Sequence, residues 1–215
     1  MSQTVMATID LGSISHWIGL FGIGVFAVSG ALEAARKEMD ILGFMLIGTV
    51  TGLGGGTLRD LLLGATPVYW VQQPHTVTIC LVASILTYFL APLLASRYRA
   101  LIWMDGIGLA TFSITGTAIA LSHGAPPLIA VCMGVMSATF GGIIRDVLCS
   151  ESLVLSSREL YVTAAAAGAS TFLLLQLLGL GESIVMLGAF LVGFGLRAAA
   201  IIFGLKLPRY QRPAA

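Results

Sequence analysis

Long apolar runs alternate with short polar connectors along the whole chain. Seven such runs lie at roughly 14–34, 41–63, 75–96, 101–122, 126–148, 160–179 and 183–205, each near the roughly 20 residues that a helix needs to cross a bilayer. None shows the alternating ten-residue segments of an outer-membrane barrel strand. The pattern therefore predicts an all-α integral membrane protein with seven transmembrane helices. Pro74, Pro126 and Pro127 fall at connectors or helix starts, where a missing N–H is tolerated. Pro92 falls inside the third run and predicts a bend there.

The polar connectors set an orientation. Arg36 and Lys37 follow the first run, Arg97 and Arg99 the third, Arg158 the fifth, and Lys206, Arg209 and Arg212 the seventh. The connectors on the other side hold Gln72, Gln73, His75, His123 and Glu182, with no Lys or Arg. By the positive-inside rule the N-terminus is outside and the C-terminus cytoplasmic. Trp17, Tyr69 and Trp70 are then expected near the outer interface, and Tyr98, Trp103, Tyr161 and Tyr210 near the inner one. Met1 to Gly12 contain no Lys or Arg, so the first run reads as a retained span rather than a signal peptide.

The pattern also repeats. Shifted by 86 positions, residues 22–62 lie over 108–148 without a gap. Gly22, Phe26, Gly30, Leu42, Gly48, Gly55, Gly56, Arg59, Asp60 and Leu62 fall on Gly108, Phe112, Gly116, Leu128, Gly134, Gly141, Gly142, Arg145, Asp146 and Leu148. The block Gly-Gly-x-x-Arg-Asp-x-Leu occurs at 55–62 and at 141–148. Each copy carries three spans, an odd number, so the second copy enters the membrane from the opposite face. Inverted repeats of this kind mark transport proteins. The organisation expected is an extracytoplasmic tail at 1–13, a first three-helix repeat at 14–96, a second, inverted one at 101–179, a seventh helix at 183–205 and a cytoplasmic tail at 206–215.

Composition agrees: 57% of the 215 residues are hydrophobic and 10% charged, against about 25% charged in soluble domains. There is no basic stripe for nucleic acid. Cys80, Cys132 and Cys149 are far apart within apolar runs and read as small core residues, and His16, His75 and His123 have no ligand spacing, so neither a metal nor a cofactor is expected. No hydrolase, metalloprotease or phosphate-loop motif occurs, which argues against an enzyme.

The candidate chemistry is in the repeated block. Gly54, Gly55, Gly56, Gly141 and Gly142 weaken two helices by about 1 kcal/mol each relative to Ala. A kink or unwound turn there would expose carbonyl oxygens to a potassium or sodium ion; close helix packing is the competing reading, supported by the GxxxG spacings of Gly48, Gly52 and Gly56. Arg59, Asp60, Arg145 and Asp146 are charges within spans, which are functional candidates by default. Adjacent residues do not face each other on a regular helix, so each Arg is expected to pair across elements or to snorkel to an interface. Asp105, whose repeat mate is Gly19, is expected at an inner mouth or opposite Arg97 or Arg99. Arg197 is expected to pair or snorkel inward. Ser29 and Thr115 are repeat mates that either line a polar path or bond back to their own helices.

The segments GLGGGTLRDLLLG at 52–64 and TFGGIIRDVLC at 139–149 resemble the prokaryotic branch of the trimeric intracellular cation (TRIC) channel family, and the resemblance covers about residues 14–205. It implies a homotrimer in a bacterial or archaeal inner membrane, each subunit carrying its own pore for monovalent cations, mainly potassium. It also implies kinks in the second and fifth helices at the glycines, milder in the second copy, where Phe140 stands in place of Gly54. The basic lipid-binding motif of animal members is absent, so phosphoinositide regulation is not implied. The same bacterial family has been read as a glycine transporter, which keeps a carrier for a small zwitterion as the alternative to a channel.

Overall fold

The computed structural model describes residues 14–94, 96–151 and 160–207. The tail at 1–13, Arg158, Arg209, Tyr210 and Arg212 lie outside the described residues. Eight α-helices follow in order: α1 (Ile14–Arg36), α2 (Ile41–Leu63), α3 (Tyr69–Gln72), α4 (His75–Leu90), α5 (Arg97–Ser122), α6 (Pro127–Leu148), α7 (Val162–Leu177) and α8 (Glu182–Phe203). Five of them, and α4 taken together with the 3-10 turn that follows it (His75–Leu93, 19 residues), are long and apolar enough to cross a membrane, and α7 is a shorter apolar helix of 16 residues. Pro92 does not bend the third span from within. It lies in a 3-10 turn (Ala91–Leu93) that ends α4, because the ring lacks the N–H that would continue the helix. The fourth expected span, α5, starts earlier than its apolar run, at Arg97, where the Ser96 hydroxyl caps it by accepting from the Arg99 N–H at 3.3 Å.

Local chemistry sets the ends. Asp40 caps α2 by accepting the Gly43 N–H at 2.8 Å, and Pro127 opens α6, where its missing N–H is harmless. Four helix ends close in pairs separated by 86 residues. Met39 and Ala125 donate backbone N–H groups to Ala34 and Ala120, and Ala65 and Glu151 donate to Asp60 and Asp146, all five residues back. The residue before each donor is left-handed: Glu38 (φ 54°), Gly124 (φ 77°), Gly64 (φ 67°) and Ser150 (φ 53°). This is the Schellman closure, which satisfies carbonyls that the helix end leaves bare.

The helices pack around α1 and α5, the most buried pair. Phe26 and Phe112 meet there with ring centroids 5.0 Å apart, Phe26 lying over Gly108 and Phe112 over Gly22. The contact pairs run in opposite directions along the two helices, so α1 and α5 are antiparallel. The crossing of α2 with α6 is closer still. A Cβ built at Gly55 would overlap the Ser137 carbonyl oxygen, and one built at Gly141 would overlap the Thr51 carbonyl oxygen. Thr51 and Ser137 are themselves 86 apart, so this contact is also paired and antiparallel. It is backbone on backbone. Both helices remain continuous α-helix through the glycines, so the expected unwound turn is not formed: the space left by the missing side chains is filled by the neighbouring helix. Cys80 and Cys149 are buried as expected, whereas Cys132 is exposed on the apolar outer surface.

Two outcomes follow for purified protein in detergent. Gly55→Ala and Gly141→Ala each introduce overpacking of about 1–3 kcal/mol and should lower the thermal unfolding midpoint. Gly195→Ala, where an added Cβ meets nothing within 4 Å, should be neutral or mildly stabilising. Conversely, Ser150→Gly relieves a left-handed non-glycine position and should raise stability by about 0.5–1 kcal/mol, read in the same thermal scan.

Candidate functional site

The crossing glycines place the charged residues. Arg59 follows Gly55 by four positions and Arg145 follows Gly141 by four, so each arginine shares a helix face with the glycine at the seam. Since α2 and α6 are antiparallel, the two arginines lie towards opposite ends of the bundle. Neither snorkels: Arg59 is 4% and Arg145 1% exposed.

At the α2 end, Arg59 pairs with its neighbour Asp60, contrary to the expectation from helix geometry. Its Nε and Nη2 donate to Asp60 Oδ1 at 2.9 and 2.6 Å. The arginine side chain is long enough to curl back along the helix, and in a dry setting the adjacent carboxylate is the available acceptor. Asp60 Oδ2 accepts the backbone N–H of Tyr69 at 2.8 Å, which ties α3 to the end of α2. The Tyr69 ring sits over Gly56 and under the Arg59 guanidinium, 5.7 Å from its centroid. Trp70 Nε1 donates to Thr57 at 3.0 Å.

At the α6 end the same motif gathers more partners. Arg145 Nε and Nη2 meet Asp146 Oδ1 at 2.9 and 2.8 Å. Its Nη1 donates to Asp105 Oδ1 at 2.6 Å and to Ser29 Oγ at 2.7 Å. Ser29 Oγ is itself 3.5 Å from Asp105 Oδ1. Four segments thus converge: α1 through Ser29, α5 through Asp105, and α6 through Arg145 and Asp146, with Tyr161 beside them at the start of α7. Asp105 therefore answers Arg145, not Arg97 or Arg99, and at 2% exposure it is buried. Ser29 does not bond back to its own helix here. Thr115 does, donating to the Thr111 carbonyl at 3.1 Å, so the two repeat mates have diverged.

Tyr161 is not part of an interfacial belt. It is 1% exposed, its hydroxyl lies over Gly142, and the Arg197 guanidinium stands 5.2 Å from its ring centroid. Arg197 is buried as well, with its stem against Gly106. The second glycine of each pair is thus a seat for a tyrosine. Motif spacing missed this, because Tyr69 and Tyr161 are not 86 apart.

Glu33 was also invisible to the repeat, since its mate is Ile119. It is 1% exposed, and its Oε2 takes Arg36 Nη1 at 2.6 Å. Arg36 and Lys37 continue to Glu151 at 3.8 and 2.6 Å. The Lys37 hydrogen bond holds the Glu151 carboxyl below its ordinary range, and Glu151 in turn raises the Lys37 ammonium. The pair joins the end of α1 to the end of α6.

The model of the family described as glycine transporter matches residues 16–92 and 102–176, segments whose starts are again 86 apart. The inner membrane protein YadS (UPF0126) of Escherichia coli is 40% identical over 202 residues, 91% of this chain and 95% of its own. Among solved structures, the TRIC trimeric intracellular cation channel orthologue from Rhodobacter sphaeroides is 49% identical. It superposes with a TM-score of 0.87 over 89% of this chain and 99% of that one. A prokaryotic TRIC channel crystallised in 0.5 M KCl gives a TM-score of 0.84 at 28% identity, over 90% and 98% of the two chains.

The buried charge cluster predicts strong coupling. Arg145→Ala and Asp105→Ala should each destabilise the detergent-solubilised protein by about 3–5 kcal/mol, because each strands an uncompensated charge. The double variant should lose less than the sum of the two, whereas additivity within about 0.5 kcal/mol would mean that the pair does not interact.

Proposed function

Because the chain belongs to the prokaryotic TRIC family, whose sequence model bears the description glycine transporter, we propose that it is a channel for monovalent cations, potassium foremost. It is a multi-pass inner-membrane protein. In this reading α1, α2 and α4 form one three-helix half, α5, α6 and α7 form its inverted copy, and α8 is a seventh crossing. The antiparallel, 86-spaced contacts of α1 with α5 and of α2 with α6 support the inversion. Arg36, Lys37, Arg97 and Arg99 set the cytoplasmic side, with the N-terminus outside and the C-terminus inside. Three copies assemble, each with its own path.

The path runs along the seam of α2 and α6, past Gly54, Gly55, Gly56, Gly141 and Gly142, with Ser29 and Thr115 on the flanking helices. Where the two backbones touch, the seam is shut. Parting of the helices at the glycines opens it, and Arg59, Asp60, Arg145, Asp146 and Asp105 hold the ends of those helices in place. The observation that carries the channel reading is that both arginines are neutralised by the chain's own carboxylates within 3 Å. A bare guanidinium would repel cations from a path in a low-dielectric interior; a neutralised one does not.

The family description favours a second reading, a carrier for glycine. In that case an arginine would hold the substrate carboxylate. Arg145 already places Nε, Nη1 and Nη2 on Asp146, Asp105 and Ser29, so a substrate would have to displace Asp105 or Asp146. This tells against the carrier.

Purified protein in liposomes and planar bilayers tests the choice. Single-channel potassium steps without saturable glycine counterflow are the expected result. Counterflow without steps would make it a carrier, and neither activity would leave a scaffold. Arg145→Ala should change the open probability or flux several-fold, while Arg99→Ala, at an exposed position, should leave both unchanged. Wild-type flux in both variants would remove the arginine cluster from gating.

A further inference from the structure

The two halves match in packing but not in charge. Under the 86-residue shift Glu33 falls on Ile119 and Asp105 on Gly19. Both acids lie at the Arg145 end of the bundle, so this end holds two buried carboxylates that the other lacks. Asp105 is committed to Arg145. Glu33 is only half committed. Its Oε2 takes Arg36, while Oε1 is buried and has no hydrogen-bond partner among the described residues.

A buried, unpartnered carboxylate oxygen is unfavourable, and a native protein places one where something else completes it. Glu33 is one helical turn from Ser29 on the same face of α1, and Ser29 is the α1 partner of the Arg145–Asp105 cluster. Oε1 therefore lies next along α1 from the polar cluster at this mouth. Its α1 neighbours Leu32 and Ala34, and Cys149 at the end of α6, belong to one buried apolar cluster. The formal charges of Glu33, Arg36, Lys37 and Glu151 sum to zero, so the local field neither traps nor repels a single positive charge strongly. A divalent ion such as calcium needs six or more oxygens and usually several carboxylates, and only one carboxylate oxygen is open here.

We propose that Glu33 is a transient binding station for a monovalent alkali cation at the cytoplasmic mouth, where Oε1 replaces part of the water shell of a potassium or sodium ion. The station rests on the channel reading above. It makes the path electrically unequal from its two ends. Glu33 offers an oxygen to ions entering from its own side and keeps that end from being net positive beside Arg36 and Lys37, and no equivalent carboxylate serves the other side, where the mate is Ile119.

The test uses the full-length protein, with rubidium as the potassium probe. Wild-type crystals soaked in rubidium chloride should show anomalous density beside Glu33 Oε1, and Glu33→Gln crystals should not. In planar bilayers, Glu33→Gln should cut the current of ions entering from the Glu33 side by about threefold at roughly 0.01 M KCl. The difference should vanish near 1 M, where the screening length falls from ~30 to ~3 Å. Current in the opposite direction should stay at the wild-type level, and Glu33→Asp should restore most of the lost current. Equal currents from both sides in Glu33→Gln, or no rubidium beside Glu33 in the wild type, would overturn the station. If the wild type passes no potassium at all, the channel reading fails, and the rubidium density still decides whether Glu33 binds the ion. Should Glu33→Gln misfold on size exclusion, Glu33→Asp and the wild-type density decide the same point.

Discussion

The direct backbone contact of α2 with α6 governs the rest of the molecule. Glycine at 55 and 141 lets each helix lie against a carbonyl of the other, at Ser137 and Thr51. Any side chain would force the axes apart. In lipid there is little hydrophobic drive between helices, so close packing through small residues is what holds such a crossing together. The crossing is antiparallel, and a helix rises 1.5 Å per residue. Arg59 and Arg145, four residues beyond the contact, therefore stand about 6 Å past it in opposite directions. One packing event thus sets where both charged clusters lie and which helices can reach them.

Burying a guanidinium is tolerable only when its donors are met, and the two ends solve this differently. Among the described residues Arg59 has Asp60 as its acceptor, supported by the Tyr69 ring and by a backbone N–H that occupies the other carboxylate oxygen. Arg145 has Asp146, Asp105 and Ser29, so α1, α5 and α6 are bound to one side chain. The latter network is a charge-assisted tie among three helices. For the α6 end to move, Arg145 must exchange or carry its partners, so this end is tied to more helices than the α2 end.

Much of this was legible in the chain. The 86-residue shift foretold that Gly22 and Gly108, Gly55 and Gly141, and Arg59 and Arg145 take equivalent places, and the structure adds left-handed helix ends at Glu38, Gly124, Gly64 and Ser150 in the same register. Three things were not legible. The glycine runs were ambiguous because an unwound turn and a tight crossing need the same residues; the neighbour, not the local sequence, selects the crossing. The Arg–Asp pairing was misread because helix-surface rules describe solvated side chains, while a buried arginine bends to the nearest acceptor. Glu33, Asp105 and Tyr161 were missed or misplaced because each breaks the repeat or lies outside its register, and their partners come from distant parts of the chain.

That division has a physical cause. Positions where backbones touch are constrained in both halves at once, since a side chain at Gly55 or Gly141 would push apart the same pair of helices. They match under the 86-residue shift. Charged positions near the ends meet different surroundings, because one end lies against α8 and the start of α7 and the other against α3. They are free to diverge, and they have: Gly19 against Asp105, Ile119 against Glu33, Thr115 bonded to its own helix against Ser29 bonded to Arg145. A frame symmetric in packing and asymmetric in charge keeps one crossing geometry while presenting a different electrostatic face to each side of the membrane. For a path that ions enter from two unlike solutions, the asymmetry is where function must be sought, and the symmetric glycines are what hold it in position.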